Sequence, residues 1–237
     1  MRHKSLVLVG PESIGTAKQG LPRLVEAFLA AVALVVFFPF IAFAALLIVA
    51  TSGRPVLFRQ KRVGRQGSVF TLFKLRTMTM HNQGPQITAG GDIRVTPVGK
   101  LLRKTKIDEL PELWNVLTGD MSLVGARPEV PQYVDLQNSD WCQVLKCRPG
   151  ITDPVTMRLR NEECLLAQVN DPEEFYLKAL QPYKLKGYVQ YLNQRTWWKD
   201  VTILFKTSVA VVFPGKAVPP TLEQILACVK GADSPMQ

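Results

Sequence analysis

A charge-free apolar segment near the beginning of the chain most constrains what it can fold into. Residues 27–50, AFLAAVALVVFFPFIAFAALLIVA, contain no charged side chain. At about 1.5 Å per residue, a helix of this length would cross the hydrocarbon core of a bilayer. The segment therefore predicts a membrane-associated protein. The alternatives, a buried helix of a soluble core and a cleaved signal peptide, fit its length less well.

The flanks of this segment predict how it sits in the membrane. Pro39 lies at its centre, where a proline removes a helical hydrogen bond and clashes with the preceding turn. Basic residues tend to stay on the cytoplasmic side, and they occur on both flanks. A re-entrant helical hairpin, broken at Pro39 and dipping into one leaflet, satisfies both flanks, whereas a spanning helix does not. The basic residues are Arg2, Lys4, Lys18 and Arg23 before the segment, and Arg54, Arg59, Lys61, Arg62 and Arg65 after it.

The rest of the chain predicts one compact catalytic domain. We divide the sequence into an N-terminal segment with the re-entrant helix, residues 1–50, and a cytoplasmic membrane-associated domain, residues 51–237. The predicted class is α+β, mainly helical, with a short β-hairpin turning at Gly64 and Gly67. Trp197 and Trp198 open a largely apolar run, which predicts an amphipathic helix in the membrane interface; an aromatic anchor in the core is the alternative.

The net charge and the cysteine content limit which ligands and partners the chain could bind. The net charge of +10 is compatible with anionic lipid, phosphorylated substrates or nucleic acid. Nucleic acid fits least, because the chain has no recognisable nucleic-acid motif and its basic residues lie beside the apolar segment and an acid pair. The four cysteines show no CxxC spacing and the two histidines are distant from them, which argues against a zinc site or a disulfide framework.

The acid pair is Asp108 and Glu109. Both lie within residues 96–129, TPVGKLLRKTKIDELPELWNVLTGDMSLVGARPE, among several cations. Two carboxylates inside a cationic cluster suggest chemistry on phosphates: one could attack phosphorus while the other holds a divalent metal. The plain alternative is an acidic first turn of a helix. The surrounding cations are Arg103, Lys104, Lys106 and Arg127.

An apolar stripe after the acid pair predicts a helix. Its spacing of i, i+3, i+4 and i+7 is that of an amphipathic helix ending at Gly119. Asp108 then falls at the N-cap and Pro111 in the first turn, where proline is tolerated. The free amides and the positive end of the helix dipole would face a bound phosphate. The stripe consists of Leu110, Leu113, Trp114 and Leu117.

The motifs in their order resemble a known family, the bacterial monotopic phosphoglycosyltransferases, or polyprenyl-phosphate sugar-1-phosphate transferases. The resemblance starts at the proline-containing apolar segment and continues through residues 52–78 (SGRPVLFRQKRVGRQGSVFTLFKLRTM), residues 92–129 and residues 148–152 (RPGIT). Together these cover about half of the chain, and its length is similar to the small form of the family.

The resemblance implies a two-step reaction. Asp108 matches the family nucleophile, which attacks the β-phosphorus of a UDP-sugar, expels UMP and holds the sugar phosphate covalently. A polyprenyl (undecaprenyl) phosphate then takes up that group. Glu109 matches the residue assigned to Mg²⁺, a cation that prefers oxygen ligands. The implied setting is the cytoplasmic face of the bacterial inner membrane, at the start of capsule, O-antigen, exopolysaccharide or glycoprotein assembly.

Six basic residues are candidate phosphate ligands. Arg103 and Arg127 match phosphate-contacting positions of the family, and arginine can grip phosphate through two parallel hydrogen bonds. Lys74 and Arg160 also match functional positions, with a structural ion pair as the alternative. Two further candidates could instead stabilise turns: Arg76 and Arg148. The residues expected to face lipid headgroups are Arg59, Arg62 and Arg65.

Several departures and alternatives stay open. Ala126 and Asp153 replace a proline and a glycine that are common in the family. Residues 161–191 follow a variant that does not identify the sugar, and part of the sugar specificity is expected there. A homodimer is compatible with the sequence. The rival function is a non-catalytic basic membrane adaptor, which explains the charge and the apolar segment but not the acid pair.

Overall fold

The computed structural model describes residues 20–80, 87–213 and 219–231. Arg2, Lys4 and Lys18, which entered the topology prediction, lie outside these residues. The described part is mainly helical with two small sheets, which confirms the predicted class. The helices are α1 Arg23–Ser52, α2 Pro97–Thr105, α3 Glu112–Thr118, α4 Ser139–Val144, α5 Pro154–Arg158, α6 Glu162–Leu166, α7 Pro172–Phe175, α8 Gln181–Asn193, α9 Trp197–Val212 and α10 Leu222–Val229. The strands are β1 Leu57–Val63, β2 Val69–Leu75, β3 Ser122–Val124 and β4 Gly150–Thr152.

The apolar segment forms one helix, α1, which continues through Pro39. Within the described residues it is the one helix that is long and apolar enough to cross a membrane. The predicted break into two helices at Pro39 is not observed. Proline removes one hydrogen bond, but packing holds helix on both sides of it: Ala30 is fully buried before it, and Ala44 and Ile48 are buried after it. The remaining surface of α1 is largely exposed and apolar.

Both ends of α1 are bound by the same folded unit. In its first turn, Glu26 accepts a hydrogen bond from the Leu123 amide at 3.1 Å. At its last turn, the Arg76 guanidinium donates to the carbonyl oxygens of Ser52 and Gly53, at 2.7 Å and 2.6 Å. The helix therefore begins and ends against the domain that carries the acid pair.

The predicted β-hairpin is confirmed. Strands β1 and β2 pair antiparallel, from Leu57 opposite Leu75 to Val63 opposite Val69. Residues 64–68 connect them, with glycines at the two positions that marked the turn in the sequence. The hairpin places Lys74, near the end of β2, beside the acid pair.

A second sheet was not predicted from the sequence. Strands β3 and β4 pair in parallel, with Ser122 opposite Gly150 and Val124 opposite Thr152. Each has three residues, too few to show an alternating pattern. A further hydrogen bond joins the two segments outside this register, because the Gly150 amide donates to the Ala126 carbonyl at 2.9 Å. It thereby brings the GARPE and RPGIT motifs together.

The C-terminal helices close the core. Helix α8 buries Tyr183, Tyr188 and Tyr191. Helix α9 begins with Trp197 and Trp198, which are 46% and 64% exposed. The helix predicted there is present and amphipathic, and the exposed tryptophans do not act as core anchors. Its placement in a membrane interface stays a prediction.

Candidate active site

A short turn between α2 and α3 carries the acid pair. Helix α2 ends at Thr105, and its C-cap Lys106 adopts a left-handed conformation with φ of 60°. A single 3₁₀ turn, Ile107–Glu109, follows, and α3 begins only at Glu112. The prediction that Asp108 is the N-cap of this helix is therefore wrong. Pro111 occupies the N-cap position, and the two acids lie on the tight turn that follows Lys106.

The buried face of α3 also differs from the predicted stripe. Leu113 is buried as expected, but Trp114 is 52% exposed. Two polar side chains, Glu112 and Asn115, take part in the buried face, with 1% and 0% exposure. A search for apolar periodicity passes over such residues, because it counts polar side chains as solvent-facing.

Glu109 is held by two cations. Its Oε1 accepts from Lys74 Nζ at 2.9 Å and from Arg127 Nη2, while Arg127 Nη1 lies 3.5 Å from Oε2. Burial opposes ionisation of this carboxyl, but Arg127 and Lys74 hold the pKa of Glu109 well below its usual range. The group is therefore an anion at neutral pH. The predicted site residues Lys74 and Arg127 both meet at this acid.

A third acid, Glu112, was missed by the sequence reasoning. Its Oε1 lies 3.2 Å from Lys74 Nζ. Burial raises the pKa of Glu112, Lys74 opposes that change and the nearby charge of Glu109 adds to it. Lys74 thus bridges two carboxylates one helical turn apart. Its position three residues after Glu109 was the available signal in the sequence.

Asp108 has a different environment from its neighbour. Its side chain is buried, and Oδ1 has no hydrogen-bond partner among the described residues. Burial, and then the charge of Glu109, raises the pKa of Asp108, while Lys74, Lys106 and Arg103 favour its charged form. A carboxylate oxygen without a partner, close to several cations, has no hydrogen bond to give up when it meets an electrophile.

Asn115 connects the acid-bearing helix to the hairpin, and it was also missed. Its Nδ2 donates to the Thr71 carbonyl at 2.8 Å, and its Oδ1 accepts from the Phe73 amide at 3.2 Å. The amide side chain therefore pairs with β2 as a neighbouring strand would. Because Lys74 follows Phe73 directly, this contact positions the lysine relative to Glu109.

Arg103 lies on α2, which precedes the acid pair in the chain. Its Nε donates to Thr77 Oγ1 at 2.9 Å, and its Nη1 bonds to Glu163 on α6. Helix α2 approaches residue 77 closely at Gly99, where a Cβ would lie 2.1 Å from the Thr77 carbonyl oxygen. A glycine is required at this contact, which brings the arginine to the threonine.

The other predicted basic residues have different partners. Arg76 donates to backbone carbonyls at the end of α1, and Arg160 donates to the carbonyls of Lys104, at 3.3 Å, and Ala210. Arg148 is partly buried two residues before the start of β4. Within the described chain, no hydrogen bond to the acid pair comes from these three arginines. The arrangement favours the scaffolding alternative for Arg76, and direct substrate contact of Arg148 and Arg160 stays a prediction.

The donor set suits a hard divalent cation. No group of three or more His, Cys, Asp or Glu side chains is placed to hold a metal among the described residues. A single Mg²⁺ that keeps most of its water needs only one or two protein carboxylates. Glu109 Oε2 has only a long contact with Arg127. This oxygen fits such an ion.

A long apolar helix is typical of a membrane-associated protein, and in this chain it adjoins buried acids with converging cations. The comparison with known families identifies the class: the chain belongs to the bacterial sugar transferase family, whose pattern it matches over residues 17–214. Family membership makes the protein a transferase enzyme, and it argues against the non-catalytic adaptor.

Curated relatives agree with this assignment. The chain is 35% identical to the UDP-glucose:undecaprenyl-phosphate glucose-1-phosphate transferase of Caulobacter vibrioides, over 78% of this chain and 67% of that protein. It is 37% identical to the galactosyl transferase CpsE of Streptococcus agalactiae, over 65% of this chain and 34% of that protein. It is 35% identical to an N-acetylgalactosaminephosphotransferase of Aeromonas hydrophila, over 75% of this chain and 40% of that protein. The chain thus spans less than half the length of the last two.

Proposed function

We propose that the protein transfers a sugar 1-phosphate from a UDP-sugar to undecaprenyl phosphate, releases UMP and so begins the assembly of a cell-surface glycoconjugate. The observation that carries the proposal is the partnerless oxygen of Asp108 beside a cation-bound Glu109, within a chain of this family. The names of the relatives combine a nucleotide-sugar donor or a sugar phosphate with the lipid acceptor. Those names differ in the sugar, so the sugar of this chain is left open.

Asp108 acts as the nucleophile in this proposal. Its carboxylate oxygen attacks the β-phosphorus of the donor, an oxygen–phosphorus bond forms, and the bond to the UMP oxygen breaks. An oxygen of the lipid phosphate then attacks the same phosphorus, and the bond to Asp108 breaks to regenerate the carboxylate. A covalent intermediate divides a difficult transfer into two easier steps. A raised pKa is compatible with this role, because a more basic carboxylate is a better nucleophile.

The neighbouring charges prepare the site for phosphate. Glu109 is the residue that would hold Mg²⁺, and its depressed pKa keeps it anionic for that purpose. When bound, Mg²⁺ neutralises charge on the phosphate oxygens during displacement. Arg127 and Lys74 hold Glu109 in place, and Arg103 supplies a guanidinium whose charge acts on Asp108. Because these groups are little exposed to water, their electrostatic interactions with a bound phosphate are stronger than they would be at the surface.

We further propose that α1 lies in one leaflet of the inner membrane, with both of its ends on the cytoplasmic face. A spanning helix would separate its ends by the thickness of a bilayer, whereas both ends of α1 are bound by one domain. Cysteines introduced at Lys18 and Arg65, in a cysteine-free background, should both react with a label added from the cytoplasmic side. Labelling of the two positions from opposite sides would contradict this placement.

The reaction is tested by UMP release. Detergent-purified protein is incubated with undecaprenyl phosphate, Mg²⁺ and a panel of UDP-sugars. Release with one sugar and dependence on the lipid would identify the donor. No release across a broad panel would count against the proposed donor class.

The covalent step is tested separately. Asp108→Asn should abolish transfer, because an amide lacks the nucleophilic anion, and Glu109→Gln should impair turnover severely. Asp135→Asn, the same change at an exposed residue, is the matched control. Intact-mass analysis without acceptor lipid should show an added sugar phosphate on the wild type and the control, but not on Asp108→Asn. Activity retained by Asp108→Asn would reject it as the nucleophile.

A further inference from the structure

We propose that Glu163 is a built-in competitor of substrate phosphate: its carboxylate occupies Arg103 in the free protein and is displaced when the diphosphate of the donor binds. The inference rests on the proposed function, because it takes Arg103 as a phosphate-binding group. Glu163 lies in residues 161–191, the variant part of the chain. It would make the site selective for ligands with more negative charge than one carboxylate.

The contacts of Arg103 show which part of its guanidinium is committed. Nε donates to Thr77 Oγ1 at 2.9 Å, a neutral partner that orients the group without neutralising it. Nη1 bonds to the Glu163 carboxylate, the one acid that forms an ion pair with Arg103 among the described residues. A phosphate that approaches this edge of the guanidinium meets Glu163 first. Thr77 keeps the guanidinium in place after Glu163 leaves.

Exposure indicates that this ion pair can open. The Glu163 side chain is 46% exposed, so water can solvate its carboxylate once it is released. Glu109 in contrast is 15% exposed and bound by both Lys74 and Arg127. Ion pairs open to solvent are weak, because water replaces much of the attraction. A bound phosphate can therefore replace Glu163 at Arg103, whereas the contacts of Glu109 persist.

The backbone of Glu163 is fixed although its side chain is partly exposed. The Gly90 amide donates to the Glu163 carbonyl at 2.7 Å. A Cβ at Gly90 would lie 3.1 Å from that carbonyl oxygen and 3.2 Å from Ala167 Cβ, so glycine permits the close approach. On the other side, the neighbouring Glu162 forms an ion pair with the buried Lys184 at 3.1 Å. Only the side chain of Glu163 is free to move between Arg103 and solvent.

The test compares Glu163→Gln with Glu174→Gln. Both remove one negative charge, but Glu174 pairs with Lys178 on the surface. The donor KM of Glu163→Gln should fall about two- to fivefold, since an exposed ion pair contributes up to about a factor of five, with kcat unchanged. The control should keep the wild-type KM. In an Asp108→Asn background, titration with inorganic pyrophosphate should show tighter binding by the same factor.

Three results would overturn the inference. One is an unchanged or raised donor KM in Glu163→Gln. Another is an equal decrease in Glu174→Gln, which would indicate a general effect of charge. The third is a decrease that persists when Arg103→Gln is added, because no guanidinium is then left to be released. If the wild type releases no UMP, the proposed function fails, and the pyrophosphate titration still decides the role of Glu163.

Discussion

Replacement of Lys74 by methionine should destabilise the protein through Glu112. Lys74 Nζ lies 2.9 Å from Glu109 and 3.2 Å from Glu112, and its side chain is 18% exposed. Removing one partner of a buried ion pair costs about 3–5 kcal/mol. Arg127 still binds Glu109 in the variant, so we expect the lower end, about 3 kcal/mol. For a chain of this size, that corresponds to a decrease in Tm of roughly 6–12 °C.

The loss should depend on pH, with a definite sign. Burial already raises the pKa of Glu112 above 4.5, and removal of Lys74 raises it further. Between the unfolded and folded pKa values, the native variant then binds a proton that the unfolded chain does not. Stability falls with rising pH wherever the native state binds more protons. The difference in the free energy of unfolding between the wild type and Lys74→Met should therefore grow as the pH rises above 4.5.

Thermal unfolding in detergent at about pH 5 and about pH 8 measures this difference. Adding Glu112→Gln to Lys74→Met should recover much of the stability, because an amide does not need a cation. Lys178→Met, which removes an exposed cation, should leave the Tm nearly unchanged at either pH. A deficit that does not change with pH, or a double variant as unstable as Lys74→Met, would refute the bridging role of Lys74.

Three other outcomes are expected. Asn115→Ala should lower the free energy of unfolding, because it leaves the Phe73 amide and a β2 carbonyl without partners, and each unpaired group costs about 1–3 kcal/mol. Thermal unfolding measures this loss. Asp200→Asn should cost about 3–5 kcal/mol in the same measurement, since the buried Arg195 loses its counter-ion. Trp198→Glu should weaken binding to anionic lipid vesicles without lowering Tm, because this side chain is 64% exposed; unchanged vesicle binding would argue against an interfacial α9.

The features that the sequence predicted well are encoded locally. The apolar helix follows from a continuous run without charge, and the hairpin follows from two strand patterns separated by Gly64 and Gly67. The acid pair was found because Asp108 and Glu109 are adjacent and surrounded by cations. The conformation of that pair was not predicted correctly. Lys106 adopts a left-handed conformation that is uncommon for lysine, so the acids lie on a 3₁₀ turn and the helix starts later.

The features that were missed depend on contacts between distant parts of the chain. Asn115 is buried because it pairs with β2, 42 positions from Phe73. Glu112 is buried because Lys74 reaches it from the same strand. The parallel pairing of β3 with β4 joins segments separated by α4, and three-residue strands carry no pattern of their own. Local periodicity assigns each polar residue to solvent, and only tertiary contact reverses that assignment.

Three consecutive residues at the end of β2 determine where the acids lie relative to the apolar helix. Lys74 bonds to Glu109, Leu75 packs with buried residues of α1, and Arg76 donates to the carbonyls at the end of α1. Consecutive Cα atoms are about 3.8 Å apart, so Lys74, which contacts the acids, and Arg76, which contacts α1, are separated by roughly 8 Å of backbone. The acid pair is therefore held near the end of the apolar helix by covalent geometry. The proposed reaction brings together a water-soluble donor and the phosphate of a membrane lipid, and such a phosphate would lie where the apolar segment ends.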